Sequence, residues 1–566
     1  MKKLINDPRN VVTEALQGLV DTTPGLALVE GSGIVLCGDD SRPEDRNVAV
    51  ISGGGSGHEP AHAGYVATGM LTAAVAGDVF TSPGVDAVLD AILLTAGPKG
   101  ALLVVKNYTG DRLNFGLAAE LAIARGIPVE IVVVADDVAL RDIVPRERRR
   151  GIAGVVLVHK VAGAAAAQGL SLAEVAALAR RAADSTGTMG VALGPCTVPA
   201  LGTPGFMLGD DEIELGLGIH GEPGIGREKL RPADELAGTL IDRIIADGVC
   251  AAGDRVAVLV NGLGGTPPIE LAIMARHALA HARARGLSVE RLYCGTYLSA
   301  LEMPGCSISL MRLDDPLLSA LDAATASRAW VSDGRLPAGR MPVTPPAAPE
   351  IAAEPQQGPY AAVIADTAGA VARALTAAAP ELGDLDSRSG DGDLGISMLR
   401  GSEAVQRLPA ATFGTPSAAF RAMADSIRKA MAGSSGPFYA AGLMSAARVL
   451  EGNADPAAGD WLRAFAAGVE AVESLGGART GDRTMVDALR PAAEAWRDGL
   501  AAGLTGPDAF ARAAAAAREG ARATADMHPR LGRASYLGQR ALGSPDPGAQ
   551  AVAVWLEAIR NALAGQ

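Results

Sequence analysis

The 566-residue sequence contains few aromatic residues and no strongly basic segment. Aromatic residues make up 3% of it, so tightly packed helices and glycine loops are expected rather than aromatic recognition surfaces. The formal net charge is −13, and this acidic balance argues against nucleic-acid binding, because neutralising phosphates requires basic patches. The short basic run RERRRG at 146–151 is interpreted as a solvated helix end.

Cysteines and long apolar runs are also scarce. The five cysteines form no C-x-x-C pair, which is typical of a reducing compartment and excludes a disulfide framework or a zinc knot. The N-terminal stretch MKKLINDPRNVV lacks the apolar segment of a signal peptide, and no run of about 18 apolar residues is free of charge. These patterns predict a cytoplasmic protein that does not bind membranes.

The first part of the chain alternates strand and helix patterns. Continuous β-branched runs, typical of buried parallel strands, occur at 47–52, 101–106, 129–135 and 255–260. Between them lie helical patterns such as 113–126 and 269–286, each of which ends at a glycine. This alternation predicts an α/β domain over residues 1–335.

The pattern changes after residue 335. Residues 336–357 are rich in Pro, Ala and polar residues without periodicity, which is the composition of a semi-rigid linker. From 358 to 566 apolar residues recur at helical spacing and no strand pattern is evident, so this region is predicted to be an all-helical domain.

The stretch ISGGGSGHEPAHAGY at 51–65 contains the H-E-x-x-H spacing of zinc peptidases. That chemistry needs both histidines on one continuous helix, whereas glycines precede His58, and Pro60 separates it from His62. The next histidine along the chain, His159, is expected to be too distant to act as a third ligand. The P-loop and dinucleotide fingerprints also fail, so the stretch predicts a glycine loop at a strand end that holds a small polar ligand or, alternatively, forms a plain turn.

Two other segments of the α/β region place polar residues beside glycines. KNYTGDRLNF, which starts at Lys106, puts Asp111 at a helix start, where a carboxylate serves as a base or as an N-cap. GIHGEPG isolates His220 among glycines, where a neutral imidazole nitrogen is nucleophilic or the residue simply occupies a turn.

The helical region contains an acidic cluster. Asp386, Asp391 and Asp393 lie within eight residues among glycines, and carboxylates this close repel one another unless a cation gathers them. Hard oxygen ligands suit Mg²⁺ or Ca²⁺, but the spacing does not match a calcium-binding EF-hand. Because Mg²⁺ commonly completes its shell with phosphate oxygens, the cluster suggests a metal-bound nucleotide, the alternative being a solvated acidic loop.

Taken together, these motifs resemble those of the dihydroxyacetone kinase family in its single-chain, ATP-dependent form. The resemblance covers nearly the whole chain. Its motifs are SGGGSGHEPAHAGY, GDVFTSP, KNYTGDRLNF, GIHGEPG, NGLGGTPPIEL and LEMPGCSISLMRLDD before the linker, and GDGDLG, GSSG, GDRTMVDALRP and GRASYLGQRALGSPDPGA after it.

The resemblance implies a two-lobed α/β ketone-binding domain and an all-helical ATP-binding barrel. It further implies that His220 adds covalently to the ketone carbonyl to give a hemiaminal. Asp111 would act as the base for the attacking hydroxyl with help from His58. The residues that would hold the substrate are Gly55, Ser56, Gly57, His58, Lys106 and Asp111.

In the helical domain the resemblance implies two Mg²⁺ ions on Asp386, Asp391 and Asp393. The residues that would contact ATP are Gly392, Gly395, Ser434, Ser435, Gly477, Met485, Asp546 and Gly548. Departures from the family pattern leave the metal carboxylates in place and affect the expected nucleotide preference; they lie at Leu394, Ile396, Ser397, Met431, Ala432, Arg483 and Gln539.

The predicted activity is therefore ATP-dependent phosphorylation of dihydroxyacetone or a related short ketose by a cytoplasmic homodimer. A four-carbon ketose such as erythrulose is the alternative substrate. A non-catalytic ketone sensor is a third hypothesis, which the complete set of aspartates disfavours. The motifs leave open whether the chain also cyclises FAD.

Overall fold

A computed structural model of the chain describes residues 2–38, 42–340, 342–346 and 358–564, except for the side chain of Arg533. The chain divides into two compact units between residues 343 and 344. This division falls inside the predicted linker 336–357, of which residue 341 and residues 347–357 lie outside the described part of the chain. The predicted domain limits at 335 and 358 stay a prediction.

The first unit contains a six-stranded sheet of β1 (Leu26–Leu28), β2 (Ile34–Cys37), β3 (Ala49–Ser56), β4 (Ala73–Val79), β5 (Ala101–Lys106) and β6 (Val129–Val134). The strand order is β1-β2-β4-β3-β5-β6. Strands β4, β3, β5 and β6 pair in parallel with their neighbours in this group, whereas β2 pairs antiparallel with both β1 and β4. The helices that accompany this sheet are α1 (Val11–Thr22), α2 (Val85–Thr95), α3 (Thr109–Ile123), α4 (Val155–Ala167) and α5 (Leu172–Asp184).

A second six-stranded sheet consists of β7 (Thr186–Ala192), β8 (Glu212–Leu215), β9 (Gly226–Lys229), β10 (Arg255–Gly262), β11 (Ser288–Gly295) and β12 (Gly305–Arg312). It has the order β11-β10-β12-β7-β8-β9, and its helices are α6 (Ala233–Ala246), α7 (Pro268–Ala284) and α8 (Asp315–Asp322). Only β10 and β11 pair in parallel. The apolar run 255–260 predicts a parallel strand, which is confirmed for the pairing of β10 with β11 and wrong for its pairing with β12, because an apolar run indicates burial on both faces and not strand direction.

The core of this unit explains why its strands are apolar without interruption. Alternate side chains of a strand point to opposite faces, and both faces are covered by helices. Val50 and Val104 belong to the cluster that includes α4 and α5, whereas Ile51 and Leu103 pack with α2 and α3. The cluster around α4 also contains Leu259 and Met311 of the second sheet, together with Val155, Val158 and Val161 of the helix itself. This burial on many sides accounts for the nearly continuous apolar sequence of α4.

The second unit is all-helical. It comprises α9 (Ala361–Ser389), α10 (Leu394–Gln406), α11 (Pro416–Ala430), α12 (Ser435–Val449), α13 (Ala458–Gly476), α14 (Val486–Ala501), α15 (Gly506–Ala523) and α16 (Pro547–Ala564). Each helix packs against the next one along the chain, and α16 packs against α9. The eight helices form a closed ring and the described residues 358–564 contain no strand, which confirms the predicted helical barrel.

One helix of the described chain, α9, is long and apolar enough to span a membrane by length and composition. It carries Asp366 and Arg373, and it packs against α10 and α16. The expectation that the protein has no membrane-spanning helix stays a prediction.

Candidate active site

The predicted catalytic residues of the α/β unit come together at the carboxyl ends of the first sheet's parallel strands. The glycine loop ends β3 and leads directly to His58, and Lys106 is the last residue of β5. The loop between β8 and β9 brings His220 to the same place. The ring nitrogen Nε2 of His220 lies 3.1 Å from Nε2 of His58. This edge is where open α/β sheets bind their ligands.

The contacts of His58 and His220 define where each ring carries its proton. Nδ1 of His58 lies 2.8 Å from the carbonyl oxygen of Ser299, and Nδ1 of His220 lies 2.8 Å from Oε1 of Glu222. Because both oxygens can only accept, Nδ1 is the donor in each of these two contacts. Two lone pairs would repel each other at the 3.1 Å between the Nε2 atoms, so the contact between the rings is a hydrogen bond with one proton between these atoms. Oε2 of Glu222 also accepts the backbone N–H of His220 at 2.9 Å. Nε2 of His220 is thus the kind of nitrogen that can add to a carbonyl carbon once that proton has moved to Nε2 of His58.

The surroundings of this pair shift the pKa values of His58 and Glu222. Burial, followed by the nearby charges of Lys106 and His220, lowers the pKa of His58 well below its ordinary value. Burial acts to raise the pKa of Glu222, but the hydrogen bonds and charge of His220 outweigh it and lower that pKa to about 2. His58 is thus a neutral base, and Glu222 is a carboxylate that can stabilise positive charge on the ring of His220.

Lys106 and Asp111 flank a space that a glycine leaves open. A Cβ atom placed on Gly54 would lie 3.3 Å from Nζ of Lys106 and 3.4 Å from Oδ2 of Asp111. Nζ of Lys106 is buried and has no hydrogen-bond partner in the described part of the chain. A buried ammonium group without an acceptor is costly, so this space suits an oxygen atom of a ligand.

The pKa values of the same pair are shifted by their burial. Burial lowers the pKa of Lys106, and Asp111 opposes this effect. Burial raises the pKa of Asp111, opposed by the charge of Lys106 and by a hydrogen bond with Ser82. A carboxylate with a raised pKa binds a proton more tightly, which suits a general base for a hydroxyl group.

Asp111 is the third residue of α3, whereas the N-cap position is occupied by Tyr108. The interpretation of Asp111 as an N-cap is therefore wrong, because the helix begins at Thr109, three residues earlier than that interpretation requires. With only 4% of its surface exposed, Asp111 faces the site instead of capping the helix.

The glycine loop leaves room for the segment that follows β4. A Cβ on Gly55 would lie 2.6 Å from the backbone carbon of Phe80, and one on Gly57 would lie 3.0 Å from the ring of Phe80. The ring of Phe80 stacks on His58 with its centroid 5.1 Å away. The hydroxyl of Ser56 donates to the carbonyl of Gly77 at 2.7 Å, so it has a partner within the protein. Substrate contact by these loop residues stays a prediction.

Several residues of the site were missed by sequence reasoning. Each lies next to a predicted residue in space, and most lie inside motifs that carry the family resemblance, such as GDVFTSP and GIHGEPG. The ring of Tyr108 also packs edge-on against His220, with centroids 4.7 Å apart. The missed residues are Gly54, Phe80, Ser82, Tyr108, Glu222 and Ser299.

The zinc peptidase interpretation fails on geometry, as predicted. Residues 57–62 form turns rather than a helix, so His58 and His62 do not share a helical face. One expectation about this stretch was wrong, because Nδ1 of His62 lies 2.9 Å from Nε2 of His159 on α4. The two histidines are distant in sequence, and only the packing of α4 beneath the loop brings them together.

The basic run at 146–151 was also misinterpreted. A 3₁₀ turn covers Arg146–Arg148, but the next two arginines are about nine-tenths buried. Arg149 forms an ion pair with Asp247 at 2.9 Å, and Arg150 forms one with Asp137 at 2.6 Å. The run looks solvated because its partners lie far away in the sequence.

In the helical unit the three predicted metal ligands converge. Asp386, Asp391 and Asp393 each offer a carboxylate oxygen, and these atoms lie within 4.8 Å of one another. A Cβ on Gly433 would lie 3.8 Å from Oδ2 of Asp393, so the GSSG loop adjoins the cluster. Oxygen ligands beside a glycine-serine loop fit Mg²⁺ with phosphate oxygens in its remaining positions.

The predicted phosphate-binding loop is the N-terminal end of a helix. Ser434 is the N-cap and Ser435 the first residue of α12, where backbone N–H groups lack partners within the helix. Gly392, with φ at +79°, forms the turn between two of the aspartates. Gly395 has a packing role, because a Cβ there would lie 2.2 Å from the carbonyl oxygen of Ala379.

The other predicted nucleotide residues surround the start of α16. A Cβ on Gly548 would lie 3.5 Å from Cβ of Met485, and Oδ1 of Asp546 accepts the backbone N–H of Ala549 at 2.8 Å. Gly477 ends α13 in a left-handed conformation, with φ at +67°. A shared core cluster joins the start of α16 to the metal and phosphate loops; it consists of Leu382, Leu394, Met398, Met431 and Ala551.

Comparison with known families agrees with both units. The Dak1 domain model matches residues 17–329, and the DAK2 domain model matches residues 388–561. The chain belongs to the dihydroxyacetone kinase family. The two matches leave the predicted linker between them and include every predicted site residue except Asp386, which lies two residues before the second match.

Members of the family resemble the chain over its full length. Triokinase/FMN cyclase of Mus musculus is 41% identical, with 100% of this chain and 99% of the relative covered. D-erythrulose kinase of Mycolicibacterium smegmatis is 35% identical, with 100% and 99% covered. The crystal structure of the dihydroxyacetone kinase of Citrobacter freundii in complex with AMP-PNP and Mg²⁺ is 35% identical, covers 99% of each chain and has a TM-score of 0.65.

Proposed function

We propose that this chain, an ATP-dependent kinase, phosphorylates dihydroxyacetone or a related short ketose that is held covalently on His220. The observation that carries this proposal is the setting of His220: its Nε2 lies 3.1 Å from Nε2 of His58, and its ring packs on Tyr108, whose ring centroid lies 5.9 Å from Nζ of Lys106. The family members named as kinases support the reaction type.

The first step is addition to the ketone. The proton between the two rings moves to Nε2 of His58, and the freed lone pair on Nε2 of His220 bonds to the carbonyl carbon as the C=O π bond breaks. The carbonyl oxygen takes the electron pair of that bond and then the proton from His58. The ring then carries a positive charge, which the carboxylate of Glu222 stabilises across its 2.8 Å contact with Nδ1. The covalent bond fixes the orientation of the substrate, and such orientation can contribute up to roughly 7–11 kcal/mol to catalysis.

The second step is phosphoryl transfer. A hydroxyl of the held ketose attacks the γ-phosphorus of ATP, its proton passes to Asp111, and ADP leaves. Lys106, whose buried Nζ has no hydrogen-bond partner among the described residues, holds a substrate oxygen in this proposal, and Nε2 of His58 assists as a proton acceptor. Transfer of this kind depends mainly on positioning and on neutralising charge.

The residues that would hold Mg²⁺ are Asp386, Asp391 and Asp393, with Ser434 and Ser435 placed for the phosphates. When bound, the ion offsets the negative charge of the ATP phosphates. A homodimeric assembly, which rests on the family resemblance, and a cytoplasmic location, which rests on the cysteine usage and the sequence patterns, complete the proposal.

The test compares acceptors with and without a carbonyl. Dihydroxyacetone should be phosphorylated and glycerol at most in traces, because glycerol has similar hydroxyls but cannot form the hemiaminal. His220→Ala should lose both the adduct, followed by native mass spectrometry, and most activity, whereas His58→Ala should keep the adduct and turn over slowly. His277→Ala, on α7, is the matched control. Similar kcat/KM values for glycerol and dihydroxyacetone, or an adduct that persists in His220→Ala, would overturn the mechanism.

A four-carbon ketose is the second candidate substrate. It is favoured by the full-length relative named as D-erythrulose kinase. A panel of three- and four-carbon ketoses, compared by kcat/KM, distinguishes the two. Binding of a ketose without ATP turnover would instead support the ketone-sensor hypothesis.

A further inference from the structure

The loop that carries His220 rests on a buried arginine to which no role has been assigned. Nη2 of Arg150 donates to the carbonyl oxygen of Gly216 at 2.7 Å, where the loop begins. Nη1 lies 3.5 Å from the carbonyl oxygen of Glu222 and 3.4 Å from that of Pro223, near the loop's other end. One guanidinium group therefore contacts backbone on both sides of His220.

Arg150 is itself fixed from beneath. Its Nε and Nη2 donate to Oδ2 of Asp137 at 2.7 and 2.6 Å, and the Asp137 side chain is 1% exposed. Oδ1 of Asp137 accepts the backbone N–H of Ala139, and the backbone N–H of Asp137 donates to the carbonyl of Arg150. Both carboxylate oxygens of Asp137 and the backbone carbonyl of Arg150 thus have hydrogen-bond partners, so the guanidinium plane has little freedom to rotate.

The loop folds closely over this arginine. A Cβ atom on Gly218 would lie 2.0 Å from Oε2 of Glu222 and 2.6 Å from Nη1 of Arg150. The backbone N–H of Gly218 donates to the carbonyl of Glu222 at 2.9 Å. The carboxylate that orients the ring of His220 and Nη1 of Arg150 therefore lie on the same side of Gly218.

We propose that Arg150 is a positioning residue that holds the His220–Glu222 pair in the geometry required for addition to the ketone. The inference rests on the proposed covalent role of His220. A guanidinium group is needed because its planar fork reaches an acid and several carbonyl groups at once, whereas an ammonium group offers a single point of charge.

The neighbouring arginine provides a matched control. Arg149 is equally buried and also forms a buried ion pair, but its partner is Asp247 and it does not contact the His220 loop. Arg150→Lys and Arg149→Lys therefore make the same chemical change, at the same depth, with and without contact to the loop.

The primary measurement is the equilibrium constant for adduct formation with dihydroxyacetone, by native mass spectrometry of the full chain. Arg150→Lys should weaken the adduct and raise KM for the ketone by about tenfold, with KM for ATP unchanged, since the lysine cannot maintain all the loop contacts. Arg149→Lys should match the wild type. Equal effects of the two substitutions would overturn the inference and leave the proposed function standing.

A second measurement does not depend on the adduct. Hydrogen–deuterium exchange of the peptide covering 214–224, without ketone, should be faster in Arg150→Lys than in Arg149→Lys, because the loop loses its anchor. If the wild type forms no adduct, the proposed function fails, and the exchange result alone decides whether Arg150 anchors the loop. Should Arg150→Lys fail to fold, Asp137→Asn replaces it, with the same increase in exchange expected.

Discussion

Replacing Glu222 by glutamine tests whether a charge, and not only a hydrogen bond, stabilises the adduct on His220. Glutamine keeps an oxygen that can accept from Nδ1 of His220, but it removes the negative charge. In the wild type, the second carboxylate oxygen of Glu222 accepts the backbone N–H of His220. In the variant, the NH₂ group of the glutamine side chain would instead turn a donor toward that N–H. Addition of the ring to a ketone creates a positive charge, so the substitution should weaken the adduct specifically.

The size of the effect follows from the pKa of Glu222, which lies at about 2 instead of 4.5. At about 1.4 kcal/mol for each pKa unit this difference corresponds to roughly 3 kcal/mol of favourable interaction, net of the cost of burial. Because the side chain is 34% exposed, solvent screening reduces the usable part to about 1.5 kcal/mol, which is about tenfold in the adduct equilibrium. The lowered pKa of Glu222 stabilises the interaction with His220 at pH values above 4.5, and this contribution is lost as the pH falls toward 2. An assay at pH 7 therefore measures the full difference between the carboxylate and the amide.

The assay is titration of wild type and Glu222→Gln with dihydroxyacetone, with adduct measured by native mass spectrometry and turnover measured in parallel. The matched control is Glu228→Gln, a glutamate on β9 that pairs with Arg231. The expected result is an adduct about tenfold weaker in Glu222→Gln only. An adduct of unchanged strength in that variant would refute the electrostatic role.

Three further predictions concern the helical unit and the linker. Asp393→Asn should abolish phosphoryl transfer while ketone adduct formation survives. The control Asp384→Asn only loses an exposed ion pair within α9 and should remain active. Turnover in Asp393→Asn would exclude Asp393 as a metal ligand. Fragments 1–335 and 358–566 should each fold and, when mixed, recover activity that rises with concentration; circular dichroism of an unfolded fragment would place the boundary elsewhere. Burial raises the pKa of Asp546 to about 6. The thermal unfolding midpoint should therefore decrease as the pH is raised from 4 to 6, because the native state then loses the proton that Asp546 holds. Asp546→Asn should flatten that decline, and an unchanged profile would contradict it.

Within the candidate site, the sequence indicates the residues that carry unusual chemistry in a recognisable local setting. His58, Lys106, Asp111 and His220 each stand beside glycines or at the end of an apolar run, so their types and positions could be predicted. Ser299 contributes a backbone carbonyl, and any residue can supply one. No sequence pattern could have identified it.

Buried charges show the same limit. Arg149 and Arg150 look like a solvated run, because local composition does not include Asp137 and Asp247, which neutralise them. The contact between His62 and His159 likewise depends on α4 packing beneath the glycine loop. In each case a tertiary partner reverses what the neighbouring residues in sequence suggest.

At the level of the fold, strand and helix periodicity predicts the α/β unit and the helical barrel. It does not predict that β10 pairs antiparallel with β12, since an apolar strand buried on both faces has the same composition in either direction. Closure of the helical ring is also invisible to periodicity, which describes one helix at a time.

The seam of that ring joins its first helix, α9, to its last, α16. The acidic cluster begins on α9 at Asp386, and the Asp546–Gly548 turn opens α16, so residues assigned to one ligand lie at opposite ends of the unit's sequence. During synthesis on the ribosome, this pocket cannot be assembled until the final helix has emerged. The His220 site is complete once Ser299 and the last strands of the α/β unit have been made. If His220 captures the ketone as proposed, a nascent chain would gain that ability before its predicted ATP-binding residues are complete, and a chain that ends within the second unit would bind a ketone without transferring phosphate.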